Sequence, residues 1–470
     1  MNWHAFAIGL LPEHFLLAGL VLVIVQAIAS ERGRGTAAVS LIAVAAAAVS
    51  ALWLGVTGFA GEPFVGQLVV TPAASFGKAV ALALALPALL LARDDHGDGG
   101  PLYPLLLSSL YGLVLMLGSD SFLTLFLGLE LMSLPVYVLV LLGDPQRRRM
   151  TPAAEGALKY VVLGGAATAT LLMGVALLYG SNGGTLALEG FRRALAATDH
   201  AMATTGAVMV LLAFFLKGAV VPLHTWAPDA YEGASVPVTG YMAAIVKAGV
   251  LLAAVRLFGE AAIAPPIVQL LVALPLLSVV WGNLAALRQP NLRRMMAYSS
   301  IAHAGYLYLA LLGAGPGRLR SVLFYLLAYG VMTLLAFALL PRHADDPQRD
   351  RLDRLQGLFQ RSPYAAIAIG LAMLSLAGIP PLPGFVAKFL IFREVMAAGH
   401  TLVAVLGLVG SYLGIYFYLR VIQLMFMNAQ PVPADGDERA PTGAAVLASV
   451  LCLLPAVIVA VAPGWVMGRW

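Results

Sequence analysis

The chain has 470 residues, 61% of them hydrophobic and only 11% charged, with a mean hydropathy of +0.90. Soluble domains carry about 25% charged residues, so a soluble enzyme is excluded; about 20 apolar residues cross the hydrocarbon core as a helix, and an all-α polytopic membrane protein is implied. The formal charge of +5 is spread over short loops, where membrane topology rather than nucleic-acid binding accounts for it.

Fourteen apolar runs follow one another, at 10–29, 37–58, 72–92, 101–118, 121–142, 154–180, 205–227, 234–258, 264–287, 297–313, 318–341, 363–392, 401–427 and 443–463. The first follows an N-terminus without Lys or Arg, which argues against a cleaved signal peptide. The third holds Lys78 and the fifth Glu130, in TLFLGLELMSLPVYVLV; the sixth opens with Glu155 and Lys159 one turn apart. The seventh and twelfth are interrupted by proline: FFLKGAVVPLHTWAPDAYEG carries Pro222 and Pro228, and LAGIPPLPGFVAKF carries Pro380, Pro381 and Pro383. Proline removes helix hydrogen bonds, and interrupted helices at corresponding places in two halves are the sequence mark of a transporter-like inverted repeat with its site at the breaks. The eighth run holds Lys247, the tenth His303, the thirteenth Arg420 near its inner end, and the last Cys452, the single cysteine. One thiol builds no disulfide framework, iron–sulfur cluster or thiolate zinc site, and no Walker A or G-x-G-x-x-G motif is present.

Loop charge orients the bundle. Loops after odd-numbered runs hold fifteen arginines (32, 34, 93, 147, 148, 149, 288, 293, 294, 342, 349, 351, 354, 361 and 439) against five after even-numbered runs (192, 193, 318, 320 and 393). The positive-inside rule then puts the odd loops in the cytoplasm and both termini outside.

All five lysines, Lys78, Lys159, Lys217, Lys247 and Lys388, lie inside apolar runs, whereas nearly all 23 arginines lie in loops or at run ends. Arginine does not shed its proton in a protein, while burial and neighbours draw a lysine toward neutral titration, so membrane-interior lysines suit proton relay. A charge at a helix centre costs about 2.5–3.5 kcal/mol or more, and Glu130, read as the only carboxylate deep in a run, is the natural partner of Lys217. Pairing holds Lys217 protonated and loosening the pair releases the proton; a static salt bridge is the plainer alternative. Lys247 and Lys388 are too deep to snorkel and read as relay groups. His224, two turns after Lys217 and beside the break, is a shuttle or a core histidine; His303 is a possible relay. Lys159 is a relay group or merely the partner of Glu155 at i, i+4. Lys78 and Arg420 read as snorkelling cations, and Asp229 and Glu232 as caps of the eighth helix more than as a channel mouth.

GLELMSLPVYVLV, EGALKYVVLGGAATATLLMGVALLYG, FFLKGAVVPLHTWAPDAYEGASVPVTGYMAAIVKAGV, NLRRMMAYSSIAHAGYL and LAGIPPLPGFVAKF together resemble the antiporter-like membrane subunits of respiratory complex I, the proton-translocating NADH:quinone oxidoreductase, from about residue 70 to 430. The resemblance implies an N-terminal group over 1–98, one inverted repeat over 101–258, a second over 264–428 and a last helix at 443–463, with the seventh and twelfth helices broken. It implies a line of charged residues across the membrane midplane on which Glu130, Lys217, Lys247, Lys388, His224 and Lys159 fall. Lysine at 388 points to the subunit N group rather than its sibling M, and the chain lacks the long lateral helix expected of sibling L. Also implied are a bacterial inner (plasma) membrane, partners among the M-like and small J/K/A/H-like membrane-arm subunits, and FMN, iron–sulfur clusters and quinone bound by partner subunits rather than by this chain. The expected path takes a proton from the cytoplasm towards Lys247, through the Lys217 and His224 region, and out near Lys388. Two other classes share these features: a subunit of a cation/proton antiporter, and a membrane scaffold.

Overall fold

The computed structural model describes residues 3–29, 35–97, 100–143, 150–196, 200–313, 315–343, 351–427, 438–439 and 441–468. Helix occupies every expected run. The labels used here are α1 (Leu11–Ala29), α2 (Thr36–Val56), α3 (Pro72–His96), α4 (Leu102–Gly118), α5 (Phe122–Leu141), α6 (Met150–Ser181), α7 (Ala201–Lys217), α8 (Trp226–Gly233), α9 (Val236–Phe258), α10 (Pro265–Ala286), α11 (Leu292–Leu312), α12 (Pro316–Ala338), α13 (Pro363–Ala377), α14 (Pro383–Ala397), α15 (Thr401–Phe426) and α16 (Gly443–Val461). Eleven of them are single helices long and apolar enough to cross a membrane, which makes this a multi-pass membrane protein. The other runs fall short for local reasons: α4 has 17 residues, and the two proline-bearing runs are each split, into α7 with α8 and α13 with α14.

The loops sort by parity. On one end of the bundle a hairpin of Gly61–Phe64 with Leu68–Val70 bridges to Ser119, Ser121 bridges to Ala187, and Ala264 N donates to Leu195 O at 2.7 Å. These segments follow α2, α4, α6 and α9. On the opposite end Asn291 bridges to Arg351, and Arg342–His343 pairs with Glu438–Arg439. Of the arginines used for orientation, 32, 34, 147, 148, 149 and 349 lie outside the described residues. Arg293 and Arg294 are not in a loop: Asn291 caps α11 by accepting from Arg294 N at 3.1 Å, so the helix starts at Leu292, five residues before the expected 297. An N-cap asparagine satisfies a backbone donor that would otherwise be orphaned, which is why helix extends into a basic stretch.

Four helices make the centre. In α3, α9, α11 and α12, between 89 and 100% of the residues of the apolar stretch are buried, against 28 to 39% in α1, α6, α10, α15 and α16. Lys78, Lys247 and His303, carried by α3, α9 and α11, therefore have protein on all sides in the middle of the bundle, where the second half of α9 follows a π-helical turn at Met242–Val246.

Candidate functional site

The site is built around the two interruptions. α7 ends at Lys217, and the chain leaves the helix until α8 begins at Trp226. Carbonyls at a break need donors when no water reaches them, and side chains add to the backbone here: Phe214 O accepts from Gly218 N at 2.8 Å and Tyr308 Oη at 2.6 Å, and Leu216 O from Ala219 N at 3.2 Å and Trp226 Nε1 at 2.9 Å. Val221 N is taken by Ser278 Oγ at 2.8 Å. In the second interruption Gly378 has φ +88°, and Gly384 N donates to Ser375 Oγ at 3.0 Å. Each break holds one cis X-Pro bond, Val221–Pro222 and Pro380–Pro381. Pro228 and Pro383 do not break anything; they sit in the first turns of α8 and α14, where a missing N–H costs nothing.

Lys217 meets Glu130 across 87 residues of sequence. Its ammonium donates to Glu130 Oε1 at 3.1 Å, to Tyr137 Oη at 3.1 Å and to Ser133 Oγ at 3.3 Å. Glu130, Ser133 and Tyr137 are spaced i, i+3, i+7 on α5, one helix face. Thr168 Oγ1 from α6 donates to the same Glu130 oxygen at 2.6 Å. The lysine side chain is 5% exposed and the glutamate 18%, so the pair lies inside with its acidic end towards the rim.

Lys247 and Lys388 have no carboxylate partner among the described residues. The Lys247 ammonium donates to the main-chain oxygen and hydroxyl of Ser300. Lys388 donates to Ala377 O, the carbonyl at the end of α13, at 3.0 Å and to Ser411 Oγ at 2.8 Å. Between the two lysines stands His303. Lys247 lies 5.9 Å from the centre of the Tyr329 ring, which is 4.6 Å from the imidazole; the imidazole is 5.6 Å from the Tyr306 ring, over which Lys388 sits at 5.3 Å. His303 Nδ1 is 2.6 Å from Tyr325 Oη, and Nε2 is 3.2 Å from Tyr418 Oη, which reaches Ser299 Oγ at 2.5 Å. Ser299, Ser300, His303 and Tyr306 form one stripe of α11. Titratable and hydroxylated groups thus follow one another from Lys247 to Lys388, with ring contacts rather than hydrogen bonds joining His303 to Tyr329 and Tyr306.

Other expectations come out differently. Lys78 does not snorkel: it is 1% exposed and pairs with Glu13 at 2.5 Å, so Glu130 is not the only buried carboxylate. Asp229 and Glu232 do not cap α9; Arg294 bridges both, at 2.6 and 2.9 Å, and Asp229 also takes Lys159 at 2.6 Å. Lys159 keeps its pair with Glu155, at 2.6 Å, with 41% of its side chain exposed. Arg293 is buried and donates to Ala234 O between α8 and α9. Arg420 donates to Leu287 O, at the end of α10, at 3.2 Å. His224 is half-buried in the first break, and its Nε2 accepts from Trp281 Nε1 at 3.2 Å; no contact with Lys217 is present among the described residues. Ser133 and Tyr137 could have been found from their spacing to Glu130, and the α11 stripe from its spacing to His303. Thr168, Tyr329 and Ser411 come from distant elements and carry no such signal. Among the described residues no group of three or more His, Cys, Asp or Glu side chains gathers for a metal ion.

The model of the transmembrane family described as NADH:quinone oxidoreductase/Mrp antiporter matches residues 119–414. The chain is 40% identical over 422 residues to NADH-quinone oxidoreductase subunit N of Pelobacter propionicus, covering 89% of each, and 35% identical to that of Granulibacter bethesdensis, covering 98% of each. Among solved structures it superimposes on a chain of respiratory complex I from Thermus thermophilus with a TM-score of 0.83 and 33% identity, covering 97% of this chain and 98% of that one. A chain of the Mrp complex from Dietzia shares the fold, with a TM-score of 0.84 at 22% identity.

Proposed function

This chain belongs to the NADH-quinone oxidoreductase subunit N family, and from that membership we propose that it carries protons from the cytoplasm to the outer face as a membrane-arm subunit of such a complex. The observation that carries the proposal is Lys217, at the cut end of α7, in ion contact with Glu130 at 3.1 Å. At the end of a broken helix the lysine has no following helical turn to fix it, and the carboxylate holds it in place. With the pair closed the ammonium keeps its proton. When Glu130 turns away, Tyr137 and Ser133 remain as neutral partners, and the proton is free to leave.

Lys247, His303 and Lys388 form the second part of the path. His303 accepts and donates through its two ring nitrogens, and a tyrosine ring lies between it and each lysine. Lys159 and Asp229, at the end of the bundle with the basic loops, mark the cytoplasmic entry. The outer exit lies beyond Lys388. The two repeats, 101–258 and 264–428, each contribute one break to this path. Moving one charge against 100 mV costs about 2.3 kcal/mol; quinone reduction in partner subunits supplies it, with FMN, iron–sulfur clusters and quinone held there. Partners are M-like and small membrane-arm subunits in a bacterial inner membrane, with both termini of this chain outside.

The test is NADH-driven proton pumping in vesicles carrying Lys217→Ala, with assembly of the complex checked on the same preparation. Pumping should fall at least tenfold with the complex intact; undiminished pumping ends the assignment. The alternative, a cation/proton antiporter subunit, predicts sodium-dependent proton exchange without NADH. Three buried lysines with one carboxylate along the path disfavour it, since Na⁺ requires oxygen ligands and not ammonium neighbours.

A further inference from the structure

At the end of the bundle where α4 and α9 finish and α3 and α12 begin lies a cavity of about 350 Å³. It sits on the helix of Lys247: Leu252 is five residues beyond the lysine, a rise of about 7.5 Å. Among the residues that line it, only Arg256, Arg318 and Glu260 are ionisable. The floor is apolar. A side chain at Gly77 would lie 3.3 Å from Leu252 and 3.7 Å from Leu117.

The two arginines are locked in place by helix ends. Arg256 donates to Leu117 O, one residue before the end of α4; Arg318 donates to Gly313 O, just past α11, at 3.0 Å and to Gly259 O, just past α9. Three helix C-termini thus turn their negative dipole ends to two guanidiniums, which explains how Arg318 is only 4% exposed. Its Nε has no acceptor among the described residues. Glu260, the single carboxylate, is exposed at the mouth and is engaged by Gly315 N at 2.9 Å. A guanidinium stays charged at any working pH, and a fixed arginine in a narrow apolar passage excludes protons and cations.

We propose that Arg256 and Arg318 form a cationic plug that insulates Lys247 from the outer face, so that a proton leaving Lys247 passes sideways through His303 to Lys388. This rests on the proton-carrying reading and its orientation, and adds to it the reason that Lys247 does not leak directly outward. Arg256 and Arg318 are insulating residues and take no proton themselves.

The experiment uses the assembled complex in proteoliposomes without NADH, with an imposed pH gradient followed by a pH-sensitive dye. The Arg256→Gln/Arg318→Gln double variant should dissipate the gradient at least threefold faster than the parent. Arg318→Lys, which keeps the charge, should hold it, and adding Lys247→Ala to the double variant should restore tightness. A double variant as tight as the parent, or a leak indifferent to Lys247→Ala, overturns the proposal. A second measurement leaves both arginines in place: Ala74→Cys on the cavity wall, in detergent-purified complex, reacts with an anionic and a cationic methanethiosulfonate. The anionic reagent should be at least tenfold faster after correction for intrinsic rates; equal rates overturn the plug. Labelling is read on the band of this subunit after separation from its partners, where the single native cysteine, Cys452, is buried. Neither assay involves NADH, so failure here and failure of Lys217→Ala to impair pumping are separate results.

Discussion

Glu130 and Lys217 pay for burial jointly, and removing one leaves the other stranded. Breaking a buried pair from one side costs about 3–5 kcal/mol, whereas replacing both partners by groups of similar shape is often neutral. Glu130→Gln alone should therefore lower the thermal midpoint of the purified complex, and Glu130→Gln/Lys217→Met should recover most of the loss while pumping stays abolished in both. Thermal denaturation followed by subunit dissociation reads the first, vesicle acidification the second; additive damage in the double variant would mean the two side chains do not act as a pair. At this scale the lysines were legible, because an ammonium in an apolar run is conspicuous whatever it touches. Their partners were not. Ser300 and Ser411 are ordinary hydroxyls 53 and 23 residues from the lysines they hold. Lys78 shows the same limit: its partner Glu13 is 65 residues away in another run, so the lysine alone reads as a snorkelling cation.

The breaks depend on close approach more than on proline. A Cβ on Gly384 would come 1.8 Å from Ser375 O and 2.6 Å from Ser375 C, closer than any side chain tolerates, and the obstacle is backbone rather than a side chain that could swing aside. Gly384→Ala should force α13 and α14 apart, at a cost above the roughly 1–3 kcal/mol of ordinary overpacking, and strip the subunit from the membrane fraction. Gly443→Ala, which meets nothing within 4 Å, should be silent in the same immunoblot. In the first break the indole of Trp226 stacks on Tyr160 at 4.2 Å while its N–H holds Leu216 O. Trp226→Phe keeps much of the stacking and loses the donor, so a loss of about 1 kcal/mol is expected, measurable as a lower thermal midpoint of the assembled complex. No change would mean that Ala219 N, which donates to the same carbonyl at 3.2 Å, satisfies Leu216 O alone. Sequence reading located both interruptions because proline lacks an N–H, but it assigned Pro228 and Pro383 to the gaps when they open the following helices. Small residues at tight contacts carry no one-dimensional signal.

Across the whole bundle the same apolar alphabet serves two environments. α9 and α15 read alike in composition, yet the apolar stretch of the first is wholly buried and only 39% of that of the second. Lipid tails are as apolar as leucine, so composition locates helices without saying which are central. The structure adds that order, and with it the position of His303. The imidazole projects from α11 in the second half of the chain, and Lys247 reaches it from the first half through Tyr329, which lies at 5.9 Å from the lysine. If the two halves exchange protons there, His303→Phe severs them while both lysines keep their own hydrogen bonds. NADH-driven vesicle acidification should fall about tenfold in an assembled His303→Phe complex. Tyr306→Phe, which keeps the ring over Lys388 and loses only the hydroxyl that accepts from Asn283 at 3.1 Å, should fall less than threefold. Equal effects from the two substitutions would make the Tyr306 hydroxyl as necessary as the imidazole. No effect from His303→Phe would mean that each half carries its proton alone.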